Sequence, residues 1–169
     1  MEIILETERL ILRKLTMEDS EALYALYSDP HIRQYFPEGV LTYAETVEEL
    51  DWFIRVYYRQ YGFGLWATIF KETGAFIGRC GLLPWTIDRR QEVEVAYLLA
   101  KEYWGQGLAT EVARGIIRYG FETLGFTRLI CLPEPENLAS CRVAEKAGMT
   151  LEREFDFEGF PARLYAILR

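Results

Sequence analysis

Residues 92–120 read "EVEVAYLLAKEYWGQGLATEVARGIIRYG". Val93, Val95 and Tyr97 alternate with Glu92 and Glu94, the period-two pattern of a strand, which puts both carboxylates on one face. From Ala109 onward, Val112, Ala113, Ile116, Ile117, Phe121 and Leu124 fall on one side of a helix. Glu111, Arg114, Arg118 and Glu122 fall on the other. Between strand and helix stand Gly105 and Gly107. A helix start leaves its first N–H groups unpaired and carries about half a positive charge. Glycines ahead of it let the backbone approach a ligand closely. The stretch therefore predicts an anion site suited to phosphate or pyrophosphate, with no lysine required.

Outward from this bend, "RLILRKL" (9–15) reads as a first strand, followed by a short helix opened by Thr16 and Asp19 in capping-box spacing. Thr42 and Glu45 form a second box at the head of a helix that carries Val47, Leu50, Ile54, Tyr57, Tyr58 and Tyr61 as an apolar stripe and stops at Gly62. Two strands joined at "KETG" follow, and then the strand quoted above. Beyond the glycine helix come a strand at 127–134, a helix with Asn137 as N-cap and Gly148 as stop, and a final strand pair turning near Gly159 and Pro161. The order is one strand, two helices, three strands, helix, strand, helix, two strands: an α+β domain over 1–169 with a mixed sheet of six to seven strands and four helices.

A chain of 169 residues, half of them hydrophobic and 15% aromatic, suits a single folded domain. The formal net charge of −7 argues against nucleic-acid binding by a basic face; it fits a cationic partner, and equally plain solubility. Cys80, Cys131 and Cys141 form no CxxC pair and His31 is the single histidine, so no zinc site is expected. Reduced thiols point to a cytoplasmic protein. "MEIILETERLIL" lacks a basic n-region, and no run reaches membrane-spanning length, so neither signal peptide nor membrane partner is expected. His31 reads as a loop residue.

Three phosphate motifs compete for the bend. A P-loop needs GxxxxGK[ST], which is absent. A dinucleotide fingerprint needs a glycine where Thr110 stands. The third is a strand, then x-x-G-x-G/A, then a helix. "VEVAYLLAKEYWGQGLATE", with "ENLASCRVAEKAGM" about 30 residues later, resembles the GNAT N-acetyltransferase superfamily. The opening "LETERLILRKLTMEDSEALYALYSDPHI" and the closing "EGFPARLYAIL" are similar to its ribosomal-protein N-terminal acetyltransferase-like branch. One position departs from the pattern: Glu102 stands where Gln or Arg is frequent, so its backbone rather than its carboxylate would serve an anion.

The resemblance implies acetyl-CoA as cosubstrate, no metal, and direct transfer to a primary amine of a peptide N-terminus or a small molecule. A non-catalytic acyl-CoA-binding module is the alternative. Such transfer needs a base for the amine, a donor for the carbonyl oxygen, and a proton for the departing thiolate. Glu94 in "VEVAY" is the first candidate base and Glu92 the second. An amide near Leu98 or Leu99, where the family's strand splays to admit the pantetheine arm, would meet the oxygen. Backbone donors of Gly105, Gln106, Gly107, Leu108, Ala109 and Thr110 would hold the diphosphate, with the Thr110 hydroxyl in support. Asn137 and Ser140 would contact the cofactor near its sulfur, Ser140 as proton donor. Cys141 has no evident base and is not read as a nucleophile. Trp85 and Arg89 are the candidate acceptor contacts. Monomer and homodimer are both open.

Overall fold

The computed structural model describes Met1–Arg169. Its strands are β1 (Ile3–Glu6), β2 (Leu10–Lys14), β3 (Leu65–Phe70), β4 (Ala75–Ile87), β5 (Arg90–Leu99), β6 (Arg128–Cys131), β7 (Thr150–Phe157) and β8 (Phe160–Leu168). The helices are α1 (Ser20–Tyr27), α2 (Pro30–Arg33), α3 (Tyr43–Trp52), α4 (Tyr58–Gln60), α5 (Leu108–Glu122) and α6 (Leu138–Lys146). A π turn, Phe53–Tyr57, joins α3 to α4 in one rod, so the helices number five with that rod counted once. No helix is long and apolar enough to cross a membrane.

One sheet runs β1-β2-β3-β4-β5-β6-β8-β7. Its pairs are antiparallel except β5–β6, which α5 connects as a parallel crossover. The α+β mixed sheet is as expected, with eight strands instead of six to seven. The extra strand is β1, a short edge strand that hairpins onto β2. The extra helix is the four-residue α2, which Asp29 caps by accepting from the amides of His31 (2.8 Å) and Ile32 (3.4 Å), with Pro30 fixing its first turn. His31 thus lies in a helix rather than a loop, and is exposed.

Both predicted capping boxes form. Thr42 Oγ1 accepts from the Glu45 amide, and Glu45 Oε2 accepts from the Thr42 amide, each at 3.2 Å. The π turn then resets the stripe: Leu50 and Phe53 are buried, while Trp52 is left 49% exposed.

Helices α5 and α6 cover one sheet face over a core that includes Val95, Leu108, Val112, Ile116, Leu129 and Cys131. Helices α1 and α3 cover the other, packing Leu23, Leu26, Leu50 and Phe53 on Leu65, Ala67 and Leu98. A third, small cluster of Ile87, Ile130, Leu164 and Ala166 is built from strand residues alone. Glu94 pairs with Leu83 on β4 and Ile130 on β6, so it sits on the second face between the helix-covered core and this strand cluster.

Candidate functional site

Gly105 (φ 72°) and Gly107 (φ 77°) both occupy the left-handed region, and Gly107 is the N-cap of α5. The amides of Gly105 through Thr110 donate to no protein acceptor; the first partnered amide is Glu111, to the Gly107 carbonyl at 3.0 Å. Nothing lies within 4 Å of where a Gly105 Cβ would stand. Six successive donors are therefore left unpaired by protein at the positive end of a 15-residue helix. The Glu102 side chain is exposed, and its carbonyl accepts from Gln106 Nε2 at 3.1 Å.

A residue from the other end of the chain fastens this bend. Arg9 donates from Nη1 to the Gln106 carbonyl (3.0 Å) and from Nε to Glu111 Oε2 (2.7 Å). Glu111 Oε1 also accepts from Thr7 Oγ1 and the Arg9 amide. Burial pushes the Glu111 carboxyl up, but these hydrogen bonds outweigh it and hold the group below its usual range. Such a lowered carboxyl contributes stability above its unfolded value, near 4.5, and loses it as pH falls through the folded value. Glu111→Gln should therefore cost about 1 kcal/mol at pH 7. The difference from the parent should shrink as pH falls below the unfolded value, near 4.5, and through the lower folded one, as read by urea unfolding over a pH series.

Strands β5 and β6 share one bridge, Glu94↔Ile130, and then diverge. The Val95 carbonyl accepts from Cys131 Sγ, and the Leu99 carbonyl accepts from Trp104 Nε1 at 2.9 Å. The odd-numbered residues of β5 thus turn toward the gap, while the Ala100 amide donates to Ile77 on the β4 side. By this alternation Tyr97 and Leu99 present their amides to the opening. Leu98 turns to its partner Arg79 on β4, so of the two expected donors Leu99 faces the gap and Leu98 does not.

Polar side chains flank this divergence on both sheet faces. On the α5–α6 side, Asn137 caps α6 by accepting from the Ser140 amide at 3.2 Å. Ser140 Oγ donates to Tyr97 Oη at 3.2 Å, and Tyr97 Oη donates to the Ser140 carbonyl at 2.8 Å. On the other side stands Glu94. Burial pushes its carboxyl up to about 7, with Arg79 and the Trp85 indole pulling the other way. Glu92 shares this face, but both its oxygens accept from Arg128 Nε, at 3.1 and 3.0 Å, and Arg128 also binds Glu152. Glu92 is thereby committed to an ion-pair network and Glu94 is not.

Trp85 packs edge-on against Phe157 at 5.2 Å, on the Glu94 face; its indole is near enough to Glu94 to favour the carboxylate, but its buried Nε1 makes no hydrogen bond of normal geometry. Arg89 is elsewhere: it occupies the Asp88–Arg89 hairpin tip, both residues at positive φ, exposed to solvent. Five residues of strand separate it from Glu94, roughly 16 Å. The β4–β5 hairpin runs longer than expected and carries it away. A surface groove of about 590 Å³ along the outer flank of α5 shares Gly107 and Thr110 with the bend but contains none of Glu94, Asn137 and Ser140. No group of three or more His, Cys, Asp or Glu is arranged to hold a metal.

Arg9 and Tyr97 were not singled out from the sequence. "RLILR" reads as a strand with solvated ends, and Tyr97 as one more apolar position; only long-range pairing gives either a role.

Residues 9–150 match the acetyltransferase (GNAT) domain family. The chain is 38% identical over 146 residues to the Bacillus subtilis (strain 168) protein YkkB, spanning 86% of this chain and 84% of YkkB. It is 32% identical to the uncharacterized N-acetyltransferase p20 of Bacillus licheniformis, spanning 95% and 90%. Its fold matches the crystal structure of a GNAT-family acetyltransferase from Bacillus anthracis with TM-score 0.82 and 28% identity over 97% of each chain. It also matches RimL, the ribosomal L7/L12 α-N-protein acetyltransferase solved with coenzyme A, with TM-score 0.82 over 99% and 98% of the chains, at 20% identity.

Proposed function

This chain belongs to the acetyltransferase (GNAT) family and is an acetyl-CoA-dependent N-acetyltransferase, and from that premise we propose that it passes the acetyl group directly to a primary amine within a ternary complex, Glu94 serving as base and Ser140 as proton donor. The observation that carries the reading is the run of six unpartnered amides, Gly105–Thr110, following a strand, β5, that pairs with β6 at Glu94 alone. Acetyl-CoA supplies the activated thioester. The amides of Gly105–Thr110 bind its diphosphate, and Asn137 and Ser140 approach its sulfur end.

The residues divide by face. Glu94, on the α1–α3 side, takes the proton of the attacking amine, directly or through a water; a carboxyl near 7 has proton affinity suited to that task. The Leu99 amide, turned into the gap, donates to the carbonyl oxygen as negative charge develops there. Ser140, on the α6 side, gives its hydroxyl proton to the departing thiolate. In the free protein that hydroxyl donates to Tyr97 Oη at 3.2 Å, so it turns from Tyr97 to the sulfur to act and recovers a proton from solvent. The roles of amine activation and thiolate protonation thus lie on opposite sides of the gap. Within the family, the opening "LETERLILRKL" and closing "EGFPARLYAIL" support kinship with the ribosomal-protein N-terminal acetyltransferase-like branch. That kinship does not fix the acceptor.

The test is a panel of primary amines with acetyl-CoA, read by free thiol release, alongside thermal unfolding with coenzyme A. Coenzyme A at about a hundred times its Kd should raise the melting temperature by roughly 5–10 °C, and NAD should not. Thiol release should depend on the amine. Coenzyme A binding with no amine-dependent release across the panel would favour the non-catalytic alternative.

A further inference from the structure

Two arginines lie buried under α1–α3: Arg79 on β4 at 6% exposure and Arg33 at the end of α2 at 3%. A buried guanidinium is costly unless carboxylates pair with it. Arg79 has no such partner at ion-pair distance, and Arg33 has only one, long and solvent-exposed. Arg79 donates from Nε to Tyr27 Oη at 2.9 Å, and no carboxylate oxygen lies within 4 Å of it. Arg33 donates from Nε to the Gly39 carbonyl at 2.8 Å, and its one carboxylate neighbour is the exposed Glu38, 3.7 Å from Nη2. The two cations instead stack on the same rings. Arg33 lies 4.9 Å from the Tyr27 centroid and 4.1 Å from Phe36, and Arg79 lies 5.6 Å from each.

The negative groups nearby are Glu49 and Glu94, both close enough to act on Arg79 through space. Glu49 keeps a buried oxygen, Oε2, that accepts no hydrogen bond. Arg79 and Glu94 share one sheet face, for the pairs Arg79↔Leu98, Gly81↔Ala96 and Leu83↔Glu94 follow one another along β4 and β5. One compartment therefore holds two buried guanidiniums with no carboxylate at ion-pair distance except the exposed Glu38, and two carboxylates that make no ion pair.

Resting on the transferase reading above, we propose that the acceptor is a small zwitterion, an amine with a carboxylate a few bonds from its nitrogen. Arg79 and Arg33 hold the carboxylate while the amino group meets Glu94. A polyamine or an aminoglycoside would bring only positive charge against two buried guanidiniums. An unmodified peptide N-terminus has no carboxylate at that separation unless a side chain supplies it. The chain-wide charge of −7 does not oppose this, because surface charges are screened beyond about 8 Å at physiological salt while the buried pair is not.

The experiment is calorimetric titration of the full chain, with and without saturating coenzyme A. The probes are L-phenylalanine and L-methionine, their carboxamides, and spermidine. The free acid of each pair should bind at least about tenfold tighter than its amide, as a charged hydrogen bond permits. Arg79→Met should bring that ratio close to one with coenzyme A affinity unchanged; Arg33→Met serves if the first variant does not fold. Failure of either acid to bind, or equal or tighter binding of the amide or of spermidine, overturns the proposal. Loss of coenzyme A binding counts separately, against the transferase reading, because the acid-to-amide ratio is read without coenzyme A as well.

Discussion

Glu94→Gln is expected to lower kcat/KM by about two to three orders of magnitude at pH 8, with coenzyme A affinity unchanged. The glutamine keeps the size of the side chain and removes its capacity to take a proton. The pH profile sharpens the expectation. A base must be unprotonated to act, and burial lifts the Glu94 carboxyl to about 7. The parent rate should therefore be full above that value and fall as pH drops through it. The variant should lose this limb, leaving only the titration of the acceptor amine. Full rate in the variant across neutral pH would remove Glu94 from the mechanism. Stability runs with the same sign of shift. A carboxyl raised in the folded state contributes most below its unfolded value, near 4.5, and loses that contribution as pH rises through about 7. The group that drives the rate upward with pH thus weakens the fold slightly over the same window. Glu92→Gln should leave the rate near that of the parent, since Arg128 already occupies both oxygens.

The second large effect is expected at the bend. The double substitution Gly105→Ala, Gly107→Ala should weaken coenzyme A binding by about a hundredfold or more, about 2.7 kcal/mol. Each left-handed alanine costs about 1 kcal/mol, which shifts the melting temperature by a few degrees. The protein offers little further resistance: a Gly105 Cβ meets nothing within 4 Å, and a Gly107 Cβ meets Arg9 Nη2 at 3.7 Å. The new methyl groups project into the space the diphosphate needs, so the loss in affinity should exceed the loss in stability. Titration calorimetry and thermal unfolding on the same samples separate the two. Equal losses would mean that the glycines shape the turn and nothing else.

What could be read in the sequence was local. The bend announced itself through two glycines between a period-two and a period-3.6 segment, and Asn137 announced itself as a cap. Two four-residue elements escaped. β1 lacks alternation, since Ile3, Ile4 and Leu5 run together, and α2 depends on a single Asp29 side chain. Glu92 and Glu94 are indistinguishable in pattern. Arg128, 36 residues beyond Glu92, separates them. The divergence of β5 from β6 is a relation between strands, and no residue of β5 alone encodes it. Arg9 reaches Glu111 across 102 residues. No local pattern in "AFIGRCGLL" marks Arg79; α1–α3 cover its face of the sheet and bury it. In each case the missing information was a partner distant in the chain.

The central claim is that the unpaired amides of Gly105–Thr110 hold the diphosphate. The most direct measurement is backbone amide NMR of the full chain during titration with coenzyme A. The account expects the resonances of those six residues to move the most, and their fast hydrogen exchange to slow at saturation. Saturable coenzyme A binding that leaves those six amides unshifted and still rapidly exchanging would contradict it.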